Sequence, residues 1–345
     1  MRSAFLGRKD IMKKNLFKKA VALASAAIMT LSLAGCGNTA SSTNETNEIK
    51  VAVIKQLDHA SLDEIANAIT AELDVLAESN GVTITYTVYS GQNDQSTLKQ
   101  ISDQAVADGC DVIIPIATMA AQVAATSTSA SKTPVVYAAI SDPEGAGLAG
   151  IENVTGTSDM LDTATIIDMI FAADNDASKI GLLYSLSEAN SALPIEEAKA
   201  LIEEKGASYV EYTASTNDEV VAAVSSLIAE GVDAIFTPTD NVIMAAELAI
   251  YDEFAINGIL HYAGADSFVR NGAFATCGVN YTDLGTKTAE YAFKAMTEGM
   301  DGLEDYYLMD GGIITVNTET AEAAQADYSV FADMGELVEV QTTEE

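Results

Sequence analysis

The stretch "ADGCDVIIPIATMAAQ" (residues 107–122) has a near-copy in "AEGVDAIFTPTDNVIMAA" (residues 229–246). Both run Ala-acidic-Gly, then x-Asp-x-Ile, then a Pro and a Thr within a few residues. Each reads as a helix stopped by glycine, a short buried strand, and the entry to the next helix. Two copies of one strand position predict two similar lobes. In open parallel sheets ligands sit beyond the carboxyl ends of the strands. Those ends are Ile116-Ala117-Thr118 in the first copy and Pro238-Thr239-Asp240-Asn241 in the second.

The flanking sequence supports this. "VAVI", "VTITYTVY", "CDVIIPI" and "TPVVYAAI" alternate with helical segments, one of which, "DQSTLKQISDQAVADG", places Leu98, Ile101, Ala105 and Val106 at helical spacing. The alternation restarts after residue 157 with "KIGLLYSL", "ASYVEYTA", "VDAIFTP" and "GILHYAGA", and "IITVN" reads as a last strand. "NVIMAAELAIYDEFA" reads as one helix between two of them. Strands alternating with helices imply right-handed crossovers and parallel sheets covered on both faces, so the fold class is α/β with two Rossmann-like lobes.

The N-terminus reads differently. From Met12, four lysines precede an apolar run, Ala20 to Gly35, that ends in Leu33-Ala34-Gly35-Cys36. A run this short, closing on small residues, predicts a secretory signal rather than a spanning helix. Its ending resembles a bacterial lipobox, which implies lipidation of Cys36 and anchoring at the outer face of the cell membrane. "GNTASSTNETNE" (residues 37–48) then reads as a flexible tether. The chain carries a net charge of −34; residues 1–35 hold seven Lys/Arg against one Asp, so the remainder carries −40. A polyanion of this size is repelled by phosphate backbones, which excludes nucleic acid as a partner. Cys110 and Cys277 lie in or beside apolar runs and read as two buried thiols, with one disulfide as the alternative. No metal-ligand spacing is present, no cofactor is expected, and "EGAGLAG" (residues 144–150) lacks the strand–helix context of a dinucleotide fingerprint.

Candidate ligand residues cluster after strands. Gln56 and His59 follow the first; Thr118 ends the third. Asp142 follows "TPVVYAAIS", where it serves equally as a ligand partner or as an Asx-turn residue. Tyr184, Ser187, Glu188, Asn190 and Ser191 lead from a strand into a helix whose free amides suit a ligand carboxylate. Asn241 adds a polar group, and Asp240 or Asp266 is the counter-ion for a ligand ammonium. Tyr137, Tyr184 and Phe268 are the expected aromatic wall, since the chain has no Trp. No nucleophile elbow, P-loop or zinc motif occurs.

"QLDHASLDEI", "SDPEGAGL", "NVTG", "YSLSEANS", "PTDN" and "GAFATCGVNYTDLG" together resemble the substrate-binding lipoproteins of ABC importers, which include tryptophan- and tyrosine-binding members. The resemblance covers residues 55 to 285. It implies type I periplasmic-binding architecture with hinge crossovers, a monomer that delivers a small amino-acid-like ligand to an ABC permease in the membrane, and no catalysis. "LDHAS" departs from the Val-Glu-His-Pro frequent in relatives, which bears on the ligand. The expected organisation is a signal (1–35), lipidated Cys and tether (36–48), a first lobe (49–157 with about 283–308), a second lobe (158–282 with about 309–335) and an acidic tail (336–345). The alternatives are a lipid-anchored hydrolase using His59 or His261, and a sensory binding protein that signals to a membrane receptor.

Overall fold

A computed structural model describes residues 48–343; the predicted signal, Cys36 and the tether up to residue 47 lie outside them. The chain opens with β1 (Glu48–Lys55), α1 (Ala60–Asn80), β2 (Thr83–Ser90), α2 (Gln95–Ala107), β3 (Val112–Ile116), α3 (Thr118–Thr128), β4 (Val135–Tyr137) and β5 (Val154–Ser158). It continues with α4 (Thr163–Ala173), β6 (Lys179–Tyr184), α5 (Ala192–Glu204), β7 (Ser208–Thr213), α6 (Asn217–Glu230) and β8 (Ala234–Thr237). Then come α7 (Asn241–Met244), α8 (Glu247–Ile256), β9 (Leu260–Ala263), α9 (Asp266–Arg270) and β10 (Ala275–Gly278). Last are α10 (Tyr281–Thr297), β11 (Tyr307–Leu308), β12 (Ile313–Asn317), α11 (Thr318–Ala324) and β13 (Glu336–Val340).

Two sheets result. The first has the order β11-β5-β4-β3-β1-β2 and is parallel throughout. The second has the order β13-β12-β10-β9-β8-β6-β7 and is parallel except between β10 and β12. Both carry core on both faces, as continuous apolar strands require. In α1, buried Leu62, Ile65, Ala66, Ile69 and Leu73 make the inward stripe. α10 crosses it at Gly285, where an added Cβ would meet the Ile65 carbonyl oxygen at 2.7 Å and the Ala68 Cβ at 2.6 Å.

The repeated phrase occupies the same place in each sheet. β3 and β8 each flank the strand that opens their lobe. Gly109 and Gly231, with φ of 70° and 67°, take the left-handed turn that ends α2 and α6. The aspartates then do the same work. Asp111 accepts from the Lys50 N–H at 2.8 Å, and Asp233 accepts from the Ser178 and Lys179 N–H groups at 2.7 and 2.9 Å. Each carboxylate pins the start of its neighbouring strand and so fixes register.

Several expectations need correction. Residues 336–340 are not a tail: β13 pairs with all five residues of β12. "NVTGTS" supplies β5, a fully buried strand that its small polar residues disguise. The single helix expected after β8 is two, α7 and α8, and at their junction Glu247 turns into the core. Cys277 is buried and Cys110 half-buried, both as free thiols. Among the described residues no helix is long and apolar enough to cross a membrane.

The β13 correction is testable. Beyond the strand, Thr342 accepts from Asn317 at 2.9 Å and the Thr343 amide donates to the Arg270 carbonyl at 2.9 Å. A chain ending at residue 335 should lose about 2 kcal/mol of stability, seen as a lower thermal midpoint, because β12 becomes an open edge. An unchanged midpoint would show that β13 adds nothing.

Candidate functional site

In each sheet the strand order reverses beside the opening strand, between β1 and β3 and again between β6 and β8. The loops leaving such a pair diverge and open a crevice. One crevice is bounded by His59, Ser61, Ala117 and Thr118, the other by Asn190, Thr239, Asp240 and Asn241. They face each other across one small cavity. Phe268, Tyr281, Leu62, Met244, Ala139 and Ala265 give it an apolar wall, and Ser141 and Asp159 complete the lining.

The lobes are closed on each other. His59 Nε2 meets Asn241 Oδ1 at 3.0 Å, Gln56 Nε2 donates to Glu188 Oε1 at 2.9 Å, and the Ser141 and Thr239 hydroxyls are 2.9 Å apart. The Ser61 and Ser267 hydroxyls touch, and Arg270 pairs with Glu64 of α1 as well as with Asp266. None of these cross-lobe contacts is local in sequence.

Asp159 is the acidic group on the cavity wall with room for a ligand. It follows β5 on a crossover between lobes and is buried. Its Oδ1 accepts from Ser141 at 3.0 Å and its Oδ2 from the Tyr281 hydroxyl at 3.0 Å. One donor per oxygen leaves acceptor capacity unused. Burial pushes its pKa up, and the hydrogen bonds from Ser141, Tyr281 and its own backbone amide oppose the rise. Burial and the adjoining Asp159 hold the Tyr281 phenol well above its usual pKa, so it stays a donor. Nearby, His59 Nδ1 and Asn190 Oδ1 are buried without a partner. The unpaired Asn190 oxygen adds an acceptor beside the Asp159 carboxylate, which suits a cationic donor. The N-terminus of α3 supplies the opposite polarity through the helix dipole and the Thr118 hydroxyl, while the Ala117 and Met119 amides are already bonded to the Ala138 carbonyl and Gln56 Oε1.

Of the twelve candidate residues, the fold brings His59, Thr118, Asn190, Asp240 and Asn241 onto the cavity. Gln56, Glu188 and Ser191 are buried behind it. Asp240 is already committed: its carboxylate accepts from the Ser185, Val242 and Ile243 amides and the Ser191 hydroxyl, at 2.7–3.1 Å. Asp266 is held by Arg270, and burial pushes its pKa up to about 6. Asp142 accepts from the Gly145 amide and shapes its own loop. Ser187 is exposed and bonded to Ser185. The aromatic wall also differs from expectation. Tyr137 is in the core of the first lobe, Tyr184 hydrogen-bonds Glu211, and only Phe268 of the three lines the cavity. Ser61, Ser141, Asp159 and Tyr281 are not among the candidates from sequence, and Thr239 lies in the strand end named there. The available signal for Ser141 and Asp159 was their position just after strands.

Of the two histidines, His59 lines the cavity and His261 is enclosed. His261 Nε2 meets the Thr237 hydroxyl at 2.8 Å and Nδ1 meets Glu247 at 3.0 Å, a hydroxyl–imidazole–carboxylate row. All three residues are at most 2% exposed, so the row lies inside the second lobe's core. There His261 supports the cavity wall, with its ring edge-on to Phe268 at 6.3 Å.

A family model described as "ABC transporter substrate binding protein" matches residues 50–326. The chain is 30% identical over 320 residues to a tyrosine-binding protein of Clostridioides difficile (strain R20291), covering 89% of this chain and 92% of that protein. Among solved structures it resembles an ABC domain from Streptococcus pneumonia in complex with L-Trp, at 30% identity and a TM-score of 0.74, covering 84% of this chain and 100% of that one. It also resembles the ligand-free, open structure of a substrate binding protein with adhesive properties from Clostridium difficile. That match has 27% identity and a TM-score of 0.64, and covers 86% of this chain and all of the other.

Proposed function

We propose, because this chain belongs to the ABC transporter substrate-binding protein family, that its closed cleft captures a single aromatic L-amino acid and hands it to a membrane permease without chemical change. One observation carries the reading: a buried carboxylate with spare acceptor capacity, Asp159, beside the aromatic faces of Phe268 and Tyr281. The ligand ammonium pairs with Asp159, its carboxylate meets Thr118 and the first turn of α3, and its ring lies against Phe268 and Tyr281. The higher similarity to an L-Trp complex than to an open, ligand-free relative agrees with a closed, ligand-holding form.

Closure follows from where the bonds lie. The contacts across the cleft form only when the lobes meet, and a ligand touching both lobes adds to that state alone. Three connections absorb the rotation, at residues 159–162, 279–280 and 309–312. Lipidated Cys36 and a tether to residue 47 hold the protein at the outer membrane face, extracytoplasmic like the rest of its family; this rests on the lipobox in the sequence.

Thermal-shift measurements with the twenty amino acids test the ligand. L-Tyrosine and L-tryptophan should raise the midpoint most, since a ligand at 100 times its Kd adds about 2.7 kcal/mol to stability. A shift by none of the aromatic amino acids would end the aromatic reading. Turnover of any bound compound would end the reading of transport without chemistry.

A further inference from the structure

His59 Nδ1 is a buried polar atom without a partner, on a residue that lines the cavity. Whether it accepts or donates depends on the tautomer of the ring, and a chain of hydrogen bonds fixes that tautomer. The chain starts at a main-chain donor. The Met119 N–H donates to Gln56 Oε1 at 3.0 Å, so the other end of that amide, Nε2, is a donor. It donates to Glu188 Oε1 at 2.9 Å and to Asn93 Oδ1 at 2.9 Å. Glu188 Oε2 then faces the Asn241 amide at 2.7 Å. An ionised carboxylate only accepts, so Asn241 must turn its NH2 toward it and its oxygen toward His59. Across 3.0 Å, His59 Nε2 must therefore carry the hydrogen. Burial pushes the His59 pKa down to about 4, so the ring is neutral and Nδ1 is left bare.

We propose that Glu188 of the second lobe, acting through Asn241, sets the tautomer of His59 in the first lobe, so that the closed cleft presents a hydrogen-bond acceptor at Nδ1. A ligand carrying an O–H or N–H donor at that point is selected. Glu188 is a positioning residue here, because it lies behind the cavity wall and acts through the amide. The inference rests on the reading of this cleft as a ligand site, and it names what the site reads.

The same chain has a second state. With a proton on Glu188, Oε1 must still accept from Gln56, so the proton sits on Oε2 and donates. Asn241 then turns its oxygen to Glu188 and its NH2 to His59 Nε2, and the hydrogen moves to Nδ1. The acceptor in the cleft becomes a donor. Burial, and next the charge of Asp240, push the Glu188 pKa up to about 7. The remaining neighbours of Glu188 are the amides of Gln56, Asn190 and Asn241, while Lys55, Asp58 and Asp63 bear on His59. Glu188→Gln copies the protonated state. Its oxygen must face Gln56 Nε2, which leaves its NH2 toward Asn241.

The test reads the tautomer directly. The sequence has two histidines, so a long-range proton–nitrogen spectrum of 15N-histidine protein has two ring systems to assign. His261, whose Nδ1 faces the Glu247 carboxyl at 3.0 Å, is the internal reference. Two closed samples are used: one saturated with L-tyrosine, and one held by a Ser61→Cys/Ser267→Cys disulfide without ligand. At pH 8 His59 should be the Nε2–H form in both. Glu188→Gln should convert it to the Nδ1–H form, leaving His261 unchanged, and lowering the pH through about 7 should do the same in the parent protein. An Nδ1–H form of His59 at pH 8, or an unchanged tautomer in Glu188→Gln, overturns the proposal. If L-tyrosine does not bind, the ligand reading fails, and the disulfide-held sample still decides the relay.

Calorimetry then identifies the donor. Glu188→Gln should weaken binding by about tenfold or more where Nδ1 meets a ligand donor. Weakening of L-tyrosine and 3-(4-hydroxyphenyl)propanoate but not L-phenylalanine assigns the ring hydroxyl. Weakening of both amino acids but not the propanoate assigns the ammonium. Equal affinities for all three in parent and variant overturn the acceptor role.

Discussion

Asp159→Asn should lower affinity for the aromatic ligand by about two orders of magnitude or more, measured by calorimetry with L-tyrosine and L-tryptophan. Removing one member of a buried, hydrogen-bonded charge pair costs about 2–5 kcal/mol, since the other charge is left desolvated and unpaired. The empty protein should not suffer in the same way. Without ligand, Asp159 is a buried carboxylate with two neutral donors and a raised pKa, so neutralising it relieves a desolvation cost. The expected pattern is lost binding with an unchanged or raised thermal midpoint. Intact binding with a lowered midpoint would make Asp159 a structural residue. The pH dependence has a definite sign. The ligand ammonium draws the Asp159 pKa down from its raised value in the empty cleft. Binding therefore releases a proton wherever the empty form is protonated, and affinity falls as pH is lowered toward that raised value.

Asp240→Ala should do the reverse, with a large loss of stability that ligand only partly restores. Asp240 is fully buried and holds three backbone amides and one hydroxyl, joining the loop after β6 to the start of α7. Each buried donor left without an acceptor costs about 1–3 kcal/mol, so a loss of about 3–5 kcal/mol is expected after partial relaxation. Denaturant unfolding measures it. A loss under about 1 kcal/mol would show that water replaces the carboxylate and that Asp240 is free to serve the ligand. The two aspartates are thus separable: one variant should lose binding and keep the fold, and the other should lose the fold's stability first.

The pairing of these aspartates marks the limit of sequence reading. Asp240 was legible because "PTDN" ends the repeated phrase, just beyond a strand of plain apolar character. The same position, however, makes it a helix cap, and a cap that binds four donors has no lone pair to spare. Asp159 follows "VTGTS", a strand whose small, polar residues hide its burial. Without an apolar run the segment carries no strand signal, so nothing local marks its aspartate as buried. The aromatic wall failed for a related reason. Tyr137 sits on a buried strand, but its side chain is on the face packed by α2 and α3, where it joins Ile54, Leu98 and Ile113. A run buried on both faces carries no periodic signal of which face meets ligand.

The sequence by itself determined the architecture, because glycine stops, apolar runs and the twin aspartates Asp111 and Asp233 act on their immediate neighbours and on the adjacent strand. It also pointed to the cavity, which lies at the ends of the two strands that say the same phrase. Tertiary structure decided which polar groups remain available there. Glu188, Asn241 and His59 are spread over 182 residues of chain, yet they form one hydrogen-bonded line. Asp240 is spent on donors of its own lobe and Asp266 is held by Arg270 four residues on, whereas His59 and Asn241, or Gln56 and Glu188, meet only because the lobes do. Which groups meet across the cleft is set by how the two sheets face each other, and no local pattern in the chain encodes that.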